Sequence, residues 1–138
     1  MGRAYYRRPV RRLLPLTALL LVSAGGCGGD DDEPGRTVTV RSPATLPVVA
    51  DEYSFDPETI VLLRGGELTI ELENVGSLAH NLRVFDGGSD IGGTPTFTGG
   101  ETRSGTVSVE PGEYELICTV GNHADLGMTG TLRVEQAK

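Results

Sequence analysis

The chain has 138 residues, 12 of them Lys or Arg and 19 Asp or Glu, for a formal net charge of −7. Five of the basic residues, Arg3, Arg7, Arg8, Arg11 and Arg12, precede Cys27 and no acid does, which leaves seven basic against 19 acidic residues, −12, on the remainder. Such a surface excludes nucleic acid and anionic lipid headgroups as partners and suits either a basic protein surface or simple solubility.

The arginines lead into a short apolar run, Leu13 to Val22, and then Ser23-Ala24-Gly25-Gly26-Cys27. A basic start, a brief apolar stretch and small residues mark an export signal. The run is well short of the roughly 20 apolar residues that cross a bilayer. Ala24-Gly25-Gly26-Cys27 resembles the lipobox of bacterial lipoproteins, although Ala24 stands where Leu is commonest. The resemblance implies a signal peptide over 1–26, lipidation at Cys27, and an exported protein anchored to the cell membrane on its outer side. An ordinary signal peptide would instead leave Cys27 as a free, exposed thiol. With Cys27 acylated, Cys118 is the only remaining thiol and no disulfide forms, whereas a Cys27–Cys118 pair would take Cys118 out of any other role.

Residues 27–36 contain Gly, Pro and four adjacent acids, Asp30 to Glu33, with no apolar side chain beyond Cys27. They read as a flexible, self-repelling tether. From Thr37 the pattern becomes period two: Thr37–Arg41, Leu68–Glu73 and Thr106–Val109 alternate, and Val48–Phe55, Thr59–Leu63, Ala79–Phe85, Tyr114–Thr119 and Thr129–Glu135 are further strands. Asp56-Pro57, Arg64-Gly65-Gly66, Asn74-Val75-Gly76 and Pro111-Gly112 punctuate them as turns. No stretch carries a helical apolar stripe. About eight short strands over 37–138 predict one all-β domain, an antiparallel Greek-key β-sandwich. The Gly-rich stretch Asp86–Arg103 reads as a loop with at most a short helix or edge strand.

Near the end of the chain, Cys118, His123 and Met128 follow one another as C-x4-H-x4-M, with Gly121 and Gly127 between them. His80 is the only other histidine. Taken singly, such a Cys or Met is more often a core side chain and such a His a surface residue. Together, two imidazoles, a thiolate and a thioether are the donor set of a blue-copper electron-transfer centre, in which Met is the weak axial ligand. The same four residues could also hold zinc.

Three segments resemble the cupredoxin family of plastocyanin- and azurin-like blue-copper proteins: YSFDPETIVLLRGGELTIELEN, Ala79-His80-Asn81, and the loop Cys118–Met128. The resemblance implies one copper ion per chain, with His80, Cys118 and His123 as equatorial ligands and Met128 as the axial one. It further implies that Asn81 and Thr119 hydrogen-bond across the site and tie the His80 strand to the Cys118 loop, where Asn81 would otherwise read as a strand-end polar residue. Tyr114 reads as a core aromatic with its hydroxyl tied to nearby backbone, and Phe55 and Phe85 read as core. Many relatives carry Pro-Gly before the second His, whereas Gly121-Asn122 stands here, which predicts a less rigid loop.

The function that follows is the carriage of single electrons between redox proteins, a cytochrome or an oxidase among the candidates, by a monomer on the outer face of a membrane. An enzyme is not expected: copper oxidases and reductases need a second copper site with further His, and a binuclear site needs two Cys in the loop. The alternative is a membrane-anchored copper carrier without electron transfer, although a chain with only Met1 and Met128 has no Met-rich delivery cluster.

Overall fold

The structure, a computed structural model, describes residues 35–138. The expected signal peptide 1–26, the lipidation site Cys27 and residues 28–34 of the tether lie outside the described residues.

Period-two alternation becomes ten strands: β1 (Thr37–Val40), β2 (Ala44–Asp51), β3 (Ser54–Asp56), β4 (Thr59–Leu62), β5 (Gly66–Asn74), β6 (Arg83–Asp86), β7 (Ser89–Gly93), β8 (Thr102–Val109), β9 (Gly112–Ile117) and β10 (Thr129–Val134). Among the described residues there is no helix. In β5, Leu68, Ile70, Leu72 and Asn74 turn inward and are buried, while Glu67, Glu71 and Glu73 face water. A slip of one residue would exchange those faces, so the pattern itself fixes which side is core. Each apolar side chain buried this way contributes about 1.5–3 kcal/mol.

Two sheets result, in the orders β1-β4-β10-β9-β6-β7 and β3-β2-β5-β8. Ile60, Leu62, Leu116 and Leu132 from the first meet Val48, Leu68, Ile70, Leu72 and Val107 from the second in one core. The expected all-β sandwich is therefore the fold, but its sheets are mixed rather than antiparallel. β1 pairs parallel with β4, β4 with β10, and β2 with β5. A period of two reports one buried face and is the same for either pairing, whereas strand neighbours are set by crossings between the sheets. The chain leaves β1, runs through β2 and β3 in the other sheet, and returns to place β4 beside β1.

Two further differences bear on strand number. The segment read as one strand, Val48–Phe55, is β2 and β3 joined by a turn at Glu52–Tyr53, with Asp51 opposite Ser54. The Gly-rich stretch supplies β7 as an edge strand on β6. At that edge a Cβ on Gly93, at φ 137°, would strike the Leu82 carbonyl oxygen, and one on Gly105 would strike the Gly93 carbonyl oxygen. Only glycine allows the backbones to approach so closely. Phe85, expected in the core, is only half-buried, and Phe97 is buried instead. Tyr114 is a core aromatic; its hydroxyl donates to the Glu110 carbonyl at 2.8 Å and accepts the Glu110 N–H at 3.1 Å.

The topology gathers the chemistry-bearing residues at one end of the large sheet. β9 stops at Ile117 and β10 starts at its partner Thr129, so Cys118–Met128 caps that end. Arg83, where β6 begins, also lies opposite Ile117, which brings His80–Leu82 to the same place.

Candidate metal centre

Cys118 is the first residue beyond β9, and its N–H donates to the Met128 carbonyl at 3.1 Å, closing the loop at its base. Inside the loop, His123 N–H donates to the Val120 carbonyl at 3.1 Å. The His123 carbonyl in turn accepts the N–H groups of Leu126 at 3.1 Å and Met128 at 3.0 Å. Gly121 at φ 51° and Gly127 at φ 102° supply the left-handed backbone these turns use. The order of this loop rests on backbone hydrogen bonds, with no proline in it.

His80 lies outside the regular ladder. Ala79–Phe85 was expected to be a strand throughout, yet β6 begins only at Arg83, and His80 makes a single bridge with Phe97, N–H to carbonyl in both directions at 3.0 and 3.1 Å. The loop before it is held by Asn74, whose Nδ2 donates to the carbonyls of Leu78 at 2.9 Å and Phe97 at 3.2 Å.

These segments bring three donors to one point. Cys118 Sγ lies 3.9 Å from His80 Nδ1 and 3.7 Å from His123 Nδ1, and the two Nδ1 atoms are 3.2 Å apart. All three residues are buried. Metal–nitrogen bonds of about 2.0–2.1 Å and a metal–sulfur bond of about 2.3 Å, opened to 120°, would separate N from S by about 3.8 Å and N from N by about 3.6 Å. The two observed N–S sides agree with that to within about 0.1 Å, and the N–N side is about 0.4 Å shorter. Three buried donor atoms this close must share protons or hold a cation between them, and a set of two imidazoles and a thiol fits one copper ion per chain.

Protonation favours the same role. Burial, and after it the neighbouring His123, push the His80 imidazole below its ordinary pKa, against a smaller opposing pull from Glu52. A neutral imidazole has a ring-nitrogen lone pair to offer, and in its Nε2–H tautomer His80 presents that lone pair from Nδ1, the atom that faces the other donors.

No family model and no curated protein matches the sequence. Solved structures do match. Auracyanin from Roseiflexus castenholzii, reduced with dithionite, superposes at a TM-score of 0.61 with 20% identity, over 65% of this chain and 95% of its own. Auracyanin B gives 0.61 with 24% identity, over 65% and 87%. Auracyanin A, the "blue" copper protein of Chloroflexus aurantiacus, gives 0.59 with 23% identity, over 71% and 100%. The chain has the cupredoxin fold.

In this cupredoxin fold Met128 is fully buried, between a carbonyl bonded to Cys118 and an N–H bonded to His123. His123, at 8% exposure, is the most accessible of the four; Cys118 is at 1% and His80 and Met128 at 0%. Asn81 and Thr119 meet across the site: Asn81 Oδ1 accepts the Thr119 N–H and Asn81 Nδ2 donates to Thr119 Oγ1, both at 2.8 Å. Asn81 Nδ2 also donates to Thr96 Oγ1 at 2.9 Å, a partner the sequence did not suggest.

Two more residues at the site escaped the sequence. The Glu52 carboxylate lies 3.8 Å from His80 Nε2, and the Tyr53 ring packs edge-on against His123 with centroids 5.1 Å apart. Glu52 is held to a pKa of about 2, first by the Leu78 amide, then by the Asp51 side chain and the Ser77 amide, with desolvation opposing. Both residues fall inside the segment read as a continuous strand, and neither is a turn-forming residue type. The only available signal was the Glu-Tyr pair interrupting the run of inward-facing apolar residues.

Proposed function

We propose that this protein is a type 1 (blue) copper protein that carries single electrons between redox partners at the outer face of a membrane. The convergence of His80 Nδ1, Cys118 Sγ and His123 Nδ1 in a buried corner of a cupredoxin fold carries the reading. Auracyanin A, described as a "blue" copper protein, supports it through its likeness to this chain.

In this reading His80, Cys118 and His123 would be the strong ligands of the copper and Met128 a weak fourth. Copper, when bound, supplies a one-electron couple between Cu(I) and Cu(II). The chain does the rest. Cys118 binds as thiolate, and its burial keeps that thiolate from competing reactions. The Cys118–Met128 backbone bond, the His80–Phe97 bridge and the Asn81–Thr119 pair hold the donors in fixed places, so little has to rearrange when the charge changes. His123 is the donor nearest the surface and marks where a partner would approach, beside the half-exposed Leu126. Acidic residues dominate beyond Cys27, which suits a partner with a basic face. A lipid on Cys27 would keep the domain at the membrane. Catalysis is not part of the proposal: both histidines of the chain stand in this one centre, leaving none for a second copper site.

The test is the visible spectrum and redox titration of the full chain loaded with Cu(II). The expected result is an intense thiolate-to-copper charge-transfer band that disappears on reduction, returns on oxidation, and is absent from Cys118→Ser. A protein that binds copper without that band, or whose band does not cycle, would refute electron carriage and leave a copper carrier.

A further inference from the structure

His80 Nε2 is a buried polar atom without a hydrogen-bond partner among the described residues. Its ring turns Nδ1 toward Cys118 and His123; with Nδ1 given to a metal, the proton of the neutral ring is on Nε2, and a buried N–H without an acceptor is costly. One anionic group approaches it: Glu52 Oε1, at 3.8 Å. That oxygen is already oriented, accepting the N–H groups of Ser77 at 2.6 Å and Leu78 at 2.9 Å. Glu52 thereby clamps the loop that delivers His80 and faces the outer edge of the same imidazole. A direct hydrogen bond requires the remaining gap to shorten by about 1 Å, within reach of a half-exposed side chain.

The neighbouring residue addresses the other histidine. Tyr53 packs against His123 at an interplanar angle of 70°. It is also the only non-glycine described residue with positive φ, 71°. A bulky side chain in the left-handed region is strained, and such strain persists only where the surroundings impose it. The turn needs a φ that glycine supplies without strain, yet the position holds an aromatic ring that packs against the edge of the core and meets the His123 imidazole edge to face.

We propose that the Glu52–Tyr53 turn is a positioning element of the metal centre, in which the Glu52 carboxylate is the acceptor for the His80 Nε2–H and the Tyr53 ring braces His123. An anionic acceptor behind an imidazole fixes the ring and its tautomer and makes the other nitrogen a better donor, the role carboxylates take behind metal-bound histidines generally. A better donor favours the more highly charged metal state. Glu52 therefore holds the reduction potential down, and one short turn between β2 and β3 sets the orientation of both imidazoles.

This inference rests on copper binding at His80, and the test separates the two. In the full chain, Glu52→Gln, Glu52→Asp and Glu52→Ala are compared with the parent protein by the NMR signal of His80 Nε2–H, in metal-free and Cu(I)-loaded forms, and by the midpoint potential of the copper couple. Gln removes the charge and keeps an acceptor for the Ser77 and Leu78 amides, so it answers even if Ala unsettles the fold. The expected result is an upfield shift and faster exchange of the Nε2 proton in Gln and Ala, a more positive potential in both, and recovery toward the parent in Asp. Tyr53→Ala should shift the His123 ring signals while Tyr53→Phe leaves them in place. A parent-like Nε2 signal and potential in Glu52→Gln would overturn the proposal. Failure to bind copper at all would defeat the proposed function, and the metal-free Nε2 signal would then judge Glu52 by itself.

Discussion

Asn81→Ala tests whether the metal-bearing corner is built before any metal arrives. Asn81 is 4% exposed and makes three side-chain bonds: to Thr119 N–H and Thr119 Oγ1 at 2.8 Å, and to Thr96 Oγ1 at 2.9 Å. Together they join the segments carrying His80 and Cys118 to the Thr96 segment. Each intramolecular bond is worth about 0.5–1.5 kcal/mol net, and alanine removes all three. Thr119 is exposed, so water can take over part of what is lost at that residue. The expected loss is therefore roughly 2–3 kcal/mol, toward the lower end of the sum. For about 100 ordered residues that corresponds to a fall in Tm of roughly 10–20 °C. It also means a urea midpoint lower by about 1 M or more.

The assay is urea and thermal unfolding of the metal-free protein followed by circular dichroism, since the chain has no Trp to serve as a fluorescent probe. Asn81→Asp should retain more than half of the stability lost in alanine, because its carboxylate accepts the Thr119 N–H and both threonine hydroxyls can turn to donate. Thr119→Ala should cost only about 1 kcal/mol, as the Thr119 N–H bond survives. An Asn81→Ala loss below about 0.5 kcal/mol in the metal-free protein would refute the reasoning, since three well-formed bonds cannot be worth so little unless the corner is loose without metal.

Three further outcomes follow from geometry remote from the donors. Gly93→Ala should destabilise by about 2 kcal/mol or more, because its φ of 137° and the Leu82 carbonyl both oppose a Cβ, while Gly87→Ala, with nothing near its Cβ position, should cost less; thermal melts separate the two. Tyr114→Phe should cost about 1–2 kcal/mol in urea by removing both hydroxyl bonds to the Glu110 backbone, with no change in the visible spectrum of copper-loaded protein. Arg83, bonded through two nitrogens, and secondarily the Gly92 amide hold the Asp90 carboxyl below its ordinary 3.8. The stability this lends is present above that value and is lost as pH falls through the lower folded-state value, so Asp90→Asn should flatten the acid limb of the stability–pH curve while changing neutral stability by less than about 1 kcal/mol for so exposed a pair.

Most of the donor set was legible because it is local. Cys118, His123 and Met128 lie on one loop, so their spacing in sequence is already a statement about their spacing in space, and His80 stood out because it is the only other imidazole available. The strands were legible where one face is buried throughout, as in β5 and β10. Parallel pairing was not, because Thr37–Val40 and Thr59–Leu62 alternate identically whichever way their neighbours run, and the pairing depends on a crossing that no local pattern records. His80–Leu82 falls inside the stretch Ala79–Phe85 that reads as a strand, yet its backbone bonds go to Phe97 and to Thr94, whose Oγ1 accepts the Leu82 N–H at 3.0 Å.

The least legible feature is the Glu52–Tyr53 turn, and the reason is physical. Reversals are recognised in sequence because glycine, asparagine and proline relieve the backbone at them. Here the reversal is made by residues that give no such relief, and Tyr53 takes a φ of 71° regardless. Contacts made after folding must impose that conformation: the β2–β3 pairing with Asp51 opposite Ser54, the Glu52 bonds to Ser77 and Leu78, and the Tyr53 ring against His123. Tyr53→Gly separates the backbone from the ring. Glycine relieves the left-handed φ, and removing the aromatic ring frees His123. If the side chain is there for the imidazole, the variant should lose copper faster to a chelator, whatever the balance of relieved φ and lost packing of the ring on the core does to metal-free stability. A variant that loses stability and keeps its copper would show instead that the ring serves only packing.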